Sequence, residues 1–194
     1  MRCLLALPVL IGLVFSAGLS AQNPVQSPAP ESATLTELQH SLVGSWVGTL
    51  EYRDYSEPST STKRVKLPTW LTIQTVGTDL RFAYIYDDGP TKTVTETSIV
   101  RIDPSGAHFT YLDEKGKVEE SLSIAGWLKL QQGRGTLTLT GSSIDNGTVA
   151  DVRVTIRVGR NVLEIVREAA PAGQALAFRH AYTFVRTSPP SQGK

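Results

Sequence analysis

What most constrains this chain is the shortness of every interval between its turns. From Trp46 to Thr187 apolar and polar residues alternate, and turn chemistry interrupts them roughly every 8–15 positions, the pattern of a meander of hairpins. Parallel strands need a crossover of a dozen or more residues between them, and no interval here holds one. Val76-Gly77-Thr78-Asp79, Asp87-Asp88-Gly89-Pro90, Asp103-Pro104-Ser105-Gly106, Glu114-Lys115-Gly116 and Gly133-Arg134-Gly135 carry the glycine or proline that tight turns require. Asp145-Asn146-Gly147 is the strongest hairpin signal; Asn146-Gly147-Thr148 also spells a glycosylation sequon, and the turn reading outweighs it. The punctuation predicts ten strands, at about 45–56, 62–75, 79–87, 91–103, 106–113, 117–131, 134–142, 148–159, 161–168 and 176–187. A meander exposes two edges unless it closes. The expected fold is therefore all-β, an antiparallel up-and-down β-barrel of about ten strands, with a β-sandwich as the alternative.

The flanks read differently. Arg2, the apolar run Leu4–Phe15 and the small residues up to Ala21 have the three-part layout of a secretory signal peptide spanning 1–21. The apolar run is shorter than the ~20 residues of a spanning helix, so export, to the periplasm or beyond, is expected rather than stable membrane insertion. Residues 22–33 and 188–194 are rich in Pro, Ser and Gln and read as a linker and a tail around one barrel domain at 34–187. Leu35, Leu38 and Leu42 fall at helical spacing, which predicts one short helix over Leu35–Val43, with Thr34 as N-cap and Glu37 closing a capping box. Cys3 is the only cysteine, so cleavage leaves a chain without disulfides, thiolate ligands or a thiol nucleophile. With 19 Lys and Arg against 18 Asp and Glu and no basic block, the composition does not point to nucleic acid.

Strand alternation assigns faces. Trp46, Gly48, Leu50, Tyr52 and Asp54 share one; Leu80, Phe82, Tyr84 and Tyr86 share another. In the last two strands Leu163, Ile165 and Arg167 fall together, as do Phe178, His180, Tyr182 and Phe184. If these faces point inward, the lumen is apolar at one end and polar at the other. Arg167 and Glu120 then both point inward, and burial demands that such charges pair or meet an anionic ligand. Trp70 and Trp127 read as packing residues.

Gly44-Ser45-Trp46, just past a short helix and opening the first long strand, resembles the lipocalin/calycin signature. In that group the Trp closes one end of the barrel and an Arg of the last strand packs on it. The resemblance implies Arg186 as that partner, with Arg179 as the second candidate on the opposite face. A mid-chain Thr-Asp-Tyr-like turn is absent, and ten strands also suit the fatty-acid-binding and nitrobindin-like branches. The resemblance implies a small hydrophobic or amphipathic ligand inside the barrel, with Tyr52, Tyr84, Tyr86, Arg167, His180 and Tyr182 as ligand-binding residues. No cofactor is expected; nitrobindin-like barrels would imply haem ligated by His180, against the plainer reading of a histidine bonded to a tyrosine. His40 and His108 offer no metal-ligand spacing. With no nucleophile elbow, phosphate loop or dinucleotide fingerprint, no catalytic residue is assigned. The contrasting expectation is a solid barrel whose outer face meets a protein partner.

Overall fold

A computed structural model describes residues 32–58, 61–127, 134–145 and 147–187, with backbone alone for 32–36 and 126–127. The expected signal peptide, most of the linker, the tail, Asn146, the Trp127 side chain and the Gly133 turn lie outside the described residues. Helix α1 (Ser32–Leu42) is followed by β1 (Gly44–Arg53), β2 (Arg64–Val76), β3 (Asp79–Asp87), β4 (Thr93–Ile102) and β5 (His108–Leu112). Then come β6 (Val118–Trp127), β7 (Gly135–Asp145), β8 (Thr148–Val158), β9 (Val162–Pro171) and β10 (Ala177–Arg186). Each strand pairs antiparallel with its sequence neighbour, and β1 pairs with β10, so the meander closes as a ten-stranded barrel. The helix begins at Ser32, two residues inside the expected linker, so Thr34 lies within it instead of capping it.

Closure leaves one buried face per strand, and the alternating positions fill it. Trp46, Leu71, Leu80, Phe82, Leu163 and Phe184 meet in the lumen with almost no exposure, joined by Leu38 and Leu42 of α1. Each such burial contributes about 1.5–3 kcal/mol. Gly48 is required where β1 crosses β10: a Cβ there would overlap the Thr183 carbonyl and sit 2.8 Å from the Phe184 Cα.

Two face assignments change. The β9–β10 register pairs Phe178 with Glu168 but His180 with Arg167, so Arg179 is the extra residue of a bulge. A bulge breaks the two-residue period. Phe178 therefore leaves the His180 face and stacks outside under the Arg64 guanidinium at 4.2 Å, while Arg179 contacts Asp145, which shares the alternation of the inward Leu137 and Leu139. Trp70 is no packing residue; it points outward and is 44% exposed, because the inward set of β2 is Thr69, Leu71 and Ile73.

Candidate functional site: the polar half of the lumen

The two ends of the barrel are chemically different. At the first, α1 runs into β1 and its last carbonyls lack helical donors, as at every helix C-terminus. Trp46 Nε1 donates to the Leu42 carbonyl at 2.9 Å. Arg186 Nη1 and Nη2 donate to the carbonyls of Val43 and Ser41, each at 2.6 Å. The guanidinium carbon lies 4.1 Å from the Trp46 ring centre. Three carbonyls are thus satisfied by two side chains, and the barrel end is sealed.

The opposite end gathers the other residues singled out in the sequence. Register places Tyr52 beside His180 and His180 beside Arg167, one row across β1, β10 and β9. Tyr84 stacks on Tyr86 at 5.9 Å, and Tyr182 lies 5.2 Å from Tyr84 although two strands separate β3 from β10. The Tyr86 and Tyr182 hydroxyls meet across the lumen at 3.0 Å. Tyr86 spends its one proton on Glu96 Oε2 at 3.0 Å, so Tyr182 is the donor to Tyr86. A second link spans β9 and β6: Arg167 Nη1 and Nη2 each reach one oxygen of Glu120 at 2.8 Å.

Electrostatics follow from this packing. Burial pushes the Glu120 carboxyl up, but the Arg167 hydrogen bonds and charge, with help from Ser143, outweigh it and hold the group below its ordinary range. Burial likewise opposes the Arg167 charge, and Glu120 more than restores it. His180 is lowered to about 4, by burial first and then by the Arg167 charge, so its imidazole is neutral at pH 7. Burial raises Tyr84, Tyr86 and Tyr111, and takes Tyr182 to about 12. All four phenols keep their protons.

Sequence reasoning missed Tyr111, Glu96, Ser143 and the Arg179–Asp145 pair as members of this site. Alternation along β7 from Leu137 and Leu139 would have placed Ser143 and Asp145 inside. Arg179 needed the bulge. Elsewhere, an open depression of about 520 Å³ lies outside on β7–β9, between Arg153, Arg157 and Glu168; Arg153 and Arg157 are already paired with Glu168 and Glu164. Among the described residues no group of three or more His, Cys, Asp or Glu side chains is placed to hold a metal ion.

The sequence matches no protein-family model and no curated protein. A crystal structure of Rv2717c from M. tuberculosis shares the architecture: the likeness covers 78% of this chain and 98% of that one, at a TM-score of 0.54 and 18% identity. The shared feature is the barrel. The likeness is consistent with a calycin-like barrel and does not select a branch of that group.

Proposed function

We propose that this chain binds a small apolar or amphipathic molecule in the polar half of its lumen. Tyr84, Tyr86 and Tyr182 would face the ligand's body, and Tyr52, Arg167 and His180 would surround its polar part. One observation carries the reading. Inward side chains at the sealed end, such as Trp46, Leu80, Leu163 and Phe184, are at most 1% exposed. Tyr52, Tyr84, His180 and Tyr182 point into the same barrel yet remain only half-buried. Partial exposure of inward side chains is what an open, incompletely filled barrel mouth gives, and a barrel of about this size can hold one small ligand there. Export through a cleaved signal peptide, to the periplasm or the medium, belongs to the same proposal; nucleic acid, catalysis and membrane insertion do not.

Native mass spectrometry of the chain from Gln22, purified from its own host, tests it. A co-purifying small molecule supports the proposal. An apo mass together with no binding of a neutral naphthylamine fluorophore overturns it. Haem held by the free imidazole nitrogen of His180 is the metal-containing form of this reading; it requires a Soret band that disappears in His180→Ala.

A protein-interaction module is the second reading, favoured by the outer face. Val162, Val185, Val47, Trp70 and Ile85 are consecutive cross-strand neighbours on five adjacent strands, a row about 19 Å long at the usual strand spacing. Four of the five are exposed. Sedimentation of wild type against Trp70→Lys tests its self-association form: association lost in the variant supports it, and a monomer throughout removes it.

A further inference from the structure

We infer that the lumen selects ligands whose polar head is uncharged and accepts hydrogen bonds, such as an alcohol, amide or ketone, and that it discriminates against carboxylates. The inference rests on the lumen reading above and names the ligand class.

The two arginines that face the lumen at this end are each paired with a carboxylate. Both terminal nitrogens of Arg167 are taken by the two Glu120 oxygens, and the Arg179 guanidinium is engaged by Asp145. Glu96 accepts from Tyr86 and adds a negative charge at the mouth. Among the described residues an entering carboxylate would meet no cation in the lumen whose charge is unpaired, although Arg179 Nε remains a buried donor without a partner. It would have to displace Glu120 and leave that carboxylate half-buried without its partner, which is costly for any ion.

Uncharged groups of the lumen also lack partners. Among the described residues, the Tyr84 hydroxyl, the Tyr111 hydroxyl and the His180 imidazole make no hydrogen bond, although each points inward beside groups that do. Tyr111 lies across from Glu120 in the β5–β6 register and close to Tyr182 and Arg167. Two protonated phenols and a neutral imidazole offer donors to an oxygen acceptor, and the imidazole also offers one acceptor. These groups stand in the half-buried part of the lumen, so a head group that matches their donors replaces water there without leaving a polar group unmet. The Tyr84–Tyr182 rings supply the apolar surface next to that position.

The test is a displacement series on the full mature chain, with a neutral naphthylamine fluorophore as reporter. The competitors are decanol, decanamide, decanoate and decylammonium, which share a chain length and differ in the head. Decanol and decanamide are expected to displace the fluorophore at concentrations about tenfold or more below decanoate and decylammonium, the scale of one or two hydrogen bonds. Decanoate or decylammonium binding as tightly as decanol overturns the inference and leaves the lumen reading standing. No binding by the fluorophore or by any of the four overturns both. Glu120→Gln frees the Arg167 guanidinium and is expected to shift preference towards decanoate by about tenfold or more; an unchanged ratio overturns the charge argument. Should that variant fail to fold, Tyr84→Phe with Tyr111→Phe removes the donors at nearly constant volume. The double variant is expected to weaken decanol and decanamide by about tenfold or more, and retention of wild-type affinity for both overturns the inference.

Discussion

Arg167 and Glu120 clasp each other across the barrel from strands that are not neighbours, each guanidinium nitrogen 2.8 Å from its own carboxylate oxygen. Their side chains are 19% and 10% exposed, so neither charge is well hydrated. Such a pair adds little net stability over an apolar pair, but either half alone is a buried uncompensated ion. Glu120→Gln and Arg167→Met are each expected to cost about 3 kcal/mol, and the double variant to fall within about 1 kcal/mol of wild type. Urea unfolding of the four proteins measures the coupling. Additive losses would show that the two charges act independently.

Arg186 does a different kind of work at the sealed end. Its guanidinium covers the Trp46 ring and caps the Ser41 carbonyl that α1 leaves open and the Val43 carbonyl in the link to β1. Arg186→Ala removes two charge-assisted hydrogen bonds and a cation–π contact, an expected loss of about 2–4 kcal/mol. Lysine keeps the charge but not the fork, and Arg186→Lys should recover less than half of that loss. Circular dichroism during urea unfolding checks both, and a lysine variant as stable as wild type would reduce the contact to bulk charge.

The barrel was legible in the sequence because its determinants are local. Turn glycines and prolines punctuate the chain, and alternation between them assigns faces without knowledge of the partner strand. That is why Arg167 and Glu120 read as inward residues before any contact between them was known. Bulges defeat the same logic, since one added residue exchanges the faces on either side of it. Arg179 turned from an outer position to an Asp145 contact, and Phe178 moved out, through a single shift between β9 and β10. Trp70 was misread for another reason: Leu67-Pro68-Thr69-Trp70-Leu71 is apolar on both faces, so periodicity assigns no direction. Links such as Tyr86–Tyr182 join strands with two others between them in the wall, and no local pattern encodes them.

Gly48 tests how closely β1 and β10 approach. A Cβ there meets backbone atoms of Thr183 and Phe184, not the movable end of a side chain. Relief requires the strands to separate, so Gly48→Ala is expected to cost about 1–3 kcal/mol, in the range of an overpacked core. A neighbouring outward position such as Thr49→Ala is expected to change stability by no more than about 0.5 kcal/mol. Thermal unfolding compares the two, and equal losses would locate the effect in strand propensity instead of contact.

His180 makes stability depend on pH in a window the carboxyl groups leave free. Burial and the Arg167 charge lower its folded value from 6.5 to about 4. Between those values the unfolded chain takes up a proton that the folded chain refuses, so stability is fully present above pH 6.5 and is lost as pH falls towards 4. The expected loss between pH 7 and pH 5 is about 2 kcal/mol at 1.36 kcal/mol per unit. Asp54, Asp103 and Glu120 are held below their ordinary values of 3.8, 3.8 and 4.5; their contributions disappear only below about pH 4.5, outside this interval. His180→Phe removes the titrating group and keeps a ring of similar size beside Tyr182, so its stability should be nearly flat from pH 7 to 5. Urea midpoints of the two proteins at half-unit steps decide the matter. An unchanged slope in the phenylalanine variant would assign the proton uptake to another group.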